Sequence, residues 1–184
     1  MSAEGFAIWL TGPPAAGKTT LARELARQLD ERGVKALVLD SDELRAVLTP
    51  APRYTEEERD WFYGVLAWLA AWLTRQGTNV LVAATAHRRA YRDRARAGIA
   101  RFAEVYVRCP SEVCARRDPK GLYAGARRGE IAALPGAGVA YEPPIDAEAT
   151  VDSDRQSPAE AAAQVVAALA SVIHHPTNGK ESKP

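Results

Sequence analysis

Four short apolar runs, at residues 6–11, 36–40, 80–84 and 102–108, alternate with longer stretches whose apolar positions recur at helical spacing. The runs show no polar alternation and read as strands buried on both faces. Residues 18–32, rich in Leu, Ala, Arg and Glu, predict a helix closed by Gly33. A short helix over 42–48 is stopped by Thr49-Pro50. Thr55 caps a long helix that ends near residue 76, before Gly77. Its first turn holds Glu56, Glu57 and Glu58, where the helix dipole favours acid. A very basic helix is expected over 88–100, and Ser111 is expected to cap another that runs to Arg117. Residues 150–152 read as a fifth short strand. Ser157, Pro158 and Glu160 then form the cap, first position and capping-box partner of a helix to residue 173.

Strands alternating with helices imply an α/β fold with a five-stranded parallel sheet between two helical layers. One domain over residues 1–173 and a loose polar tail over 174–184 account for the pattern. Residues 118–144 are rich in Gly, Pro, Arg and Ala, with periodicity only around 122–128. They read as a mobile lid, at about 118–133, followed by a substrate loop. Ligands of such sheets bind beyond the carboxyl ends of the strands. Chemistry is therefore expected in segments 12–20, 40–45, 85–89 and 109–110.

The length of 184 residues suits one domain, and a hydrophobic fraction of 47% suffices for one core. With 24 basic and 23 acidic residues the net charge is +1, which offers no general field for nucleic acid or an anionic membrane. The longest strongly apolar stretch, 65–73, is too short to span a bilayer, and the first residues lack the pattern of a signal peptide. A soluble, cytoplasmic protein is expected. Cys109 and Cys114 form no disulfide framework and are expected as reduced, buried thiols.

Gly12-Pro13-Pro14-Ala15-Ala16-Gly17-Lys18-Thr19 matches the phosphate-binding pattern G-x-x-x-x-G-K-[ST] without a gap. It follows an apolar run and opens a helix, which argues against a chance glycine turn. The two glycines let the backbone wrap so that successive N–H groups point at phosphate oxygens. Lys18 would meet the β- and γ-phosphates, Thr19 would meet Mg²⁺, and Thr20 continues the cradle. Asp40 and Asp42 end the second strand. One could hold Mg²⁺ through water, with Thr19 and Asp40 as the metal-side pair, and the other could take a proton from an acceptor hydroxyl. Alternatively, Asp42 caps the helix that follows.

Residues 104–123, reading EVYVRCPSEVCARRDPKGLY, resemble the adenylyl-sulfate kinases, which use ATP to phosphorylate the ribose 3′-hydroxyl of adenylyl sulfate. The run Ala126 to Ile131, Tyr141-Glu142-Pro143-Pro144 and Asp40-Ser41-Asp42-Glu43-Leu44-Arg45 extend the likeness, which covers about residues 5–173. The resemblance implies ATP and Mg²⁺ as cofactors and an anionic small-molecule acceptor. It implies Lys18, Asp42 and Lys120 as catalytic residues, with Lys120 on the lid reaching both nucleotides. Arg117 falls beside the ATP base. Asp40, Asp42, Arg45, Arg59, Arg89 and Lys120 fall on acceptor-side positions, and Tyr54 stands where the family stacks an aromatic on the acceptor's adenine.

Some positions depart from the family. Its S-P-[FY] becomes Ala86-His87-Arg88, which removes a hydroxyl that direct in-line transfer does not need. An asparagine and two arginines of the long helix become Trp61-Phe62-Tyr63-Gly64-Val65. The aromatic that would close the adenine sandwich becomes Leu134. Phe62 and Leu134 are therefore expected in a more apolar acceptor pocket with weakened adenine recognition. Two other readings stay open: a kinase of this fold acting on a different small hydroxyl compound, and a nucleotide-binding subunit without turnover. Trp61, Trp68 and Trp72 share one helix, and such a stripe is more often core or dimer interface than ligand platform, so a homodimer is an expectation. The arginines between 88 and 101 read mainly as a solvated helix face, with Arg89 turned to the site.

Lys18→Ala should abolish turnover and leave the fold intact. Near-normal nucleotide hydrolysis or transfer by that variant would remove the phosphate-loop assignment.

Overall fold

The computed structural model describes residues 4–129, 131, 134–136 and 138–174. Strands β1 (Ala7–Thr11), β2 (Ala36–Asp40), β3 (Asn79–Ala83), β4 (Phe102–Arg108) and β7 (Ala149–Asp152) form one parallel sheet in the order β2-β3-β1-β4-β7. β5 (Leu134–Pro135) and β6 (Gly138–Val139) pair separately. The helices are α1 (Lys18–Asp30), α2 (Ser41–Leu48), α3 (Glu56–Arg75), α4 (Arg89–Gly98), α5 (Ser111–Arg117), α6 (Leu122–Arg127), α7 (Pro158–Ala168) and α8 (Ala170–Ile173). Among the described residues, no helix is long and apolar enough to cross a membrane. The expected tail beyond residue 174 lies outside the described residues.

Strand alternation divides the core into two layers. Phe6, Ile8 and Leu10 face Leu21, Leu25 and Leu29 of α1 and Ala161, Ala162 and Val165 of α7. Ala7 and Trp9 face Phe62, Leu66 and Ala70 of α3 and Tyr91 and Ala95 of α4. β1 is buried throughout because strands flank it on both edges and helices cover both faces. The chain crosses from β1 to the β2–β3 side and returns past it to β4, so the carboxyl end of β1 is the topological switch point. The glycine-rich segment leaves the sheet there. A Cβ on Gly12 would stand 2.4 Å from the carbonyl oxygen of Val107, so only glycine lets the loop start this close to β4.

Most boundaries lie within two residues of those expected. Three local features differ. Pro110, not Ser111, is the N-cap of α5; Ser111 is already helical and its hydroxyl turns to Glu112. The final helix breaks at Leu169 into α7 and α8. The basic helix α4 is solvated as expected at Arg88, Arg89, Arg94 and Arg96, which keep about two-fifths of their side chains exposed, but not at Arg92. Arg92 is 1% exposed. It donates to Glu104 Oε1 at 2.5 Å and to the carbonyls of Ala86 at 2.5 Å and Glu142 at 2.7 Å. Arg88, Arg94 and Arg96 pair with Glu56, Asp60 and Glu148. Arg101 donates to the backbone carbonyls of Glu4, Val172 and Ile173.

Arg92→Met should destabilise the fold by about 3 kcal/mol, because it leaves Glu104 buried with only the more distant Arg96. The shift in urea midpoint measures this. A loss below about 0.5 kcal/mol would mean that the buried pair contributes no net stability.

Candidate nucleotide and acceptor site

The phosphate loop runs from the end of β1 to the start of α1. Ala15 and Gly17 have positive φ, 62° and 94°, and the turn is closed by the Ala16 N–H donating to the Pro13 carbonyl at 3.2 Å. Ala16 is fully buried, which anchors the loop on the α1 side of the sheet. Gly17 caps α1 without a side chain, so the first N–H groups of that helix stay free to meet an anion.

Lys18 folds back and donates to the carbonyls of Gly12 at 3.0 Å and Pro13 at 2.8 Å. Burial lowers its pKa from 10.5 to about 8, opposed by the charges of Asp42 and Asp40. Without ligand, this buried charge costs stability below about pH 8, and the cost fades as pH rises toward 10.5. Thr19 Oγ1 donates to Asp40 Oδ2 at 2.6 Å. Asp40 is buried at the end of β2, and its other oxygen accepts the Asp42 N–H at 2.8 Å. Asp40, not Asp42, is thus the cap of α2. Relieved of capping, the exposed Asp42 carboxylate pairs with Lys120, in the segment expected as a lid. The hydroxyl and carboxylate of Thr19 and Asp40 are hard oxygen donors that suit Mg²⁺, which usually takes only one or two protein ligands plus phosphate and water.

The segment expected as a lid is fastened near the N-terminal end of its helix. Asp118 accepts from the N–H groups of Tyr123 and Ala124 at 3.1 and 2.9 Å. Gly121 and Gly129 flank α6 with φ of 67° and 75°. Tyr123 is buried, and its hydroxyl donates to the carbonyl of Pro14, in the phosphate loop, at 3.1 Å. Arg117 donates to Ser153 O at 2.6 Å and Ser153 Oγ at 3.2 Å, which ties α5 to the end of β7.

The expected acceptor residues gather at the start of α3. Arg45 donates to Glu58 at 3.1 Å and lies 3.8 Å above the Phe62 ring and 5.2 Å from the Tyr54 ring. Arg59 donates to the Tyr54 carbonyl at 2.9 Å and lies 5.4 Å from the same ring. Tyr54 is 43% exposed and holds φ at 57°, a strained conformation for a residue with a side chain. Phe62 and Leu134 are not open pocket walls. Phe62 has no exposed surface and serves as a platform under Arg45. Leu134 is buried in the α1-side core with Ala16 and Tyr123. An apolar pocket built on their side chains is therefore not what the structure contains, because packing consumed both.

Arg89 donates to the Pro143 carbonyl at 3.1 Å, and its N–H reaches Glu142 at 2.7 Å. Sequence reasoning assigned nothing to Arg92, Tyr63, Thr11 or Tyr141, which hold this corner. Arg92 joins the Ala86 loop to the Glu142 loop. Tyr63 Oη accepts from the Ala86 N–H at 3.1 Å, where Ala86 has φ of 39°. Thr11 donates to the Thr85 carbonyl at 2.8 Å and lies 3.0 Å from Tyr141 Oη. Arg92 was discoverable: it lies on the same α4 face as the buried Tyr91 and Ala95.

Binding a triphosphate should restore the full charge of Lys18, so complex formation above about pH 8 should take up a proton. Calorimetry in buffers of different ionisation enthalpy reads this directly. Uptake should vanish at lower pH and in Lys18→Arg. Equal uptake in that variant would assign the proton elsewhere.

The adenylylsulphate kinase family profile matches residues 4–152. The chain is 47% identical over 163 residues to a probable adenylyl-sulfate kinase of Pyrococcus abyssi, covering 89% of this chain and 94% of that relative. It is 45% identical over 150 residues to another from Archaeoglobus fulgidus, covering 82% and 97%. Among solved structures, the Mycobacterium tuberculosis APS kinase in complex with AMPPNP and APS superposes with a TM-score of 0.85 at 34% identity, covering 91% of this chain and 99% of that one. The chain belongs to the adenylylsulphate kinase family.

Proposed function

We propose that the protein transfers the γ-phosphoryl group of ATP, with Mg²⁺, to the 3′-hydroxyl of adenylyl sulfate. The observation that carries this reading is the Asp42–Lys120 pair, which brings an acceptor-side carboxylate and the lid cation together beside the phosphate loop. The names of the relatives and the ligands of the similar solved structure support the same acceptor.

In this reading the phosphate loop and the N-terminus of α1 cradle the β- and γ-phosphates, and Lys18 turns from the Gly12 and Pro13 carbonyls to meet them. Thr19 and Asp40 would hold Mg²⁺, which would supply charge neutralisation on the phosphates. Tyr54, Arg45 and Arg59 hold the acceptor, with the aromatic ring against its base and the guanidinium groups toward its anionic end. Asp42 takes the proton of the 3′-hydroxyl. The freed oxygen forms a bond to the γ-phosphorus, the bond to the β,γ-bridging oxygen breaks, and ADP leaves with that electron pair. Lys120, released from Asp42 as the carboxylate is neutralised, follows the charge onto the phosphoryl oxygens. Arg92 acts at a distance: it sets the two loops that carry Ala86 and Glu142, and hence Arg89.

Asp42→Asn should lower kcat by about 10²–10⁴ in a coupled ATP-consumption assay with adenylyl sulfate, and should leave ATP affinity nearly unchanged. An unchanged kcat would falsify the proton-acceptor role. No turnover with adenylyl sulfate, alongside turnover with another nucleoside, sugar or amino alcohol, would move the chain to a different acceptor.

A further inference from the structure

One carboxylate outside the proposed reaction holds the segment between α2 and α3. Glu58 stands in the first turn of α3, with its side chain 17% exposed. Its Oε1 accepts from Arg45 Nη1 at 3.1 Å, and its Oε2 accepts from the Arg53 N–H at 2.6 Å. Its own N–H donates at 3.2 Å to Thr55 Oγ1, the cap of the same helix. One residue thus joins the last turn of α2, the loop after it and the first turn of α3.

Each of the two side-chain bonds bears on a group at the acceptor side. Arg45 lies 3.8 Å above the Phe62 ring, and its side chain is 10% exposed. A cation over a ring is held in distance but not in direction, and the bond to Glu58 supplies the direction. The Arg53 N–H immediately precedes Tyr54, whose φ of 57° is strained. The Tyr54 carbonyl is held by Arg59 Nε at 2.9 Å. Tyr54 is therefore pinned on both flanks, by Glu58 before it and by Arg59 after it. Released on the first flank, its backbone can relax out of the left-handed region. The ring would then leave Arg45 and Arg59, which lie 5.2 and 5.4 Å from its centre.

The geometry points to Glu58 as a positioning residue of the acceptor site: it sets the direction of Arg45 and the seat of Tyr54 before any acceptor arrives. This rests on the proposed reading of Arg45 and Tyr54 as groups that hold adenylyl sulfate. Preorganisation lowers the ordering cost of binding, so Glu58 acts on acceptor affinity and not on the transfer step. A carboxylate is required because each of its oxygens receives a donor. A carboxamide of the same shape has one accepting oxygen, and its NH₂ would face the second donor. Glu58→Gln therefore keeps the helix and loses one of the two bonds.

The test joins steady-state kinetics of the full chain, with ATP and adenylyl sulfate, to trypsin cleavage of the free protein. Glu58→Gln should raise the KM for adenylyl sulfate about tenfold or more, with kcat and the KM for ATP within about threefold of wild type. In an Arg45→Met background only the Arg53 N–H remains as donor, and the Gln oxygen can accept it. There the same change should raise KM by less than about threefold. Trypsin can cut after the exposed Arg53. Glu58→Gln should speed that cut about threefold or more relative to the cut after Arg75, at the far end of α3. An unchanged KM would overturn the proposal, and so would a fall in kcat alongside a rise in both KM values. Full additivity with Arg45→Met, or unchanged cleavage after Arg53, would overturn it too. The cleavage arm needs no acceptor. A wild type inert toward adenylyl sulfate, with a Glu58→Gln variant cut faster after Arg53, would overturn the acceptor reading and uphold the hold of Glu58 on the loop.

Discussion

The working end of this molecule is organised by one buried carboxylate. Asp40 ends β2 and spends one oxygen on the Thr19 hydroxyl and the other on the Asp42 N–H. The first bond joins the phosphate loop to a strand two positions away in the sheet. The second starts α2 and fixes where Asp42 leaves the backbone. A carboxylate with both oxygens held by donors cannot rotate, so the distance between metal side and acceptor side is set by a strand end rather than by a loop. Asp42 is then left for chemistry, and it meets Lys120 across 78 residues of sequence.

The acceptor side is built differently, from strained backbone and buried cations. Tyr54 and Ala86 hold positive φ without being glycine. Such conformations persist only where neighbours over-determine them. Arg59 grips the carbonyl of Tyr54, and Tyr63 and Arg92 grip the N–H and carbonyl of Ala86. The loss of the family's serine hydroxyl at position 86 therefore leaves an ordered loop, because its shape rests on backbone bonds to other elements.

The fold was largely legible. Apolar runs bounded by glycine and acid marked the strands, and the capping box at Ser157 and Glu160 marked a helix start to the residue. The phosphate loop could be read because its pattern is contiguous. What could not be read was which polar side chains the fold would bury. Arg92 sits in an arginine-rich helix whose composition suggests solvent, and only its register beside the buried Tyr91 and Ala95 betrays it. Phe62 and Leu134 failed for the converse reason. An apolar residue at a family binding position can serve either the ligand or the core, and burial decides that only once the chain is folded. The sequence suggested Asp42 as a cap of α2, and the folded chain gives that place to Asp40, an acid two residues earlier at the strand end.

The bond from Tyr123 to the Pro14 carbonyl gives the phosphate loop a second tether besides Ala16. A peptide carbonyl that accepts a bond on its outer side has its N–H partner turned the opposite way, toward the cradle. Helix α6 therefore helps fix the orientation of the peptide plane that follows Pro14. One hydroxyl–carbonyl contact thus joins the Pro14–Ala15 peptide plane of the phosphate loop to helix α6.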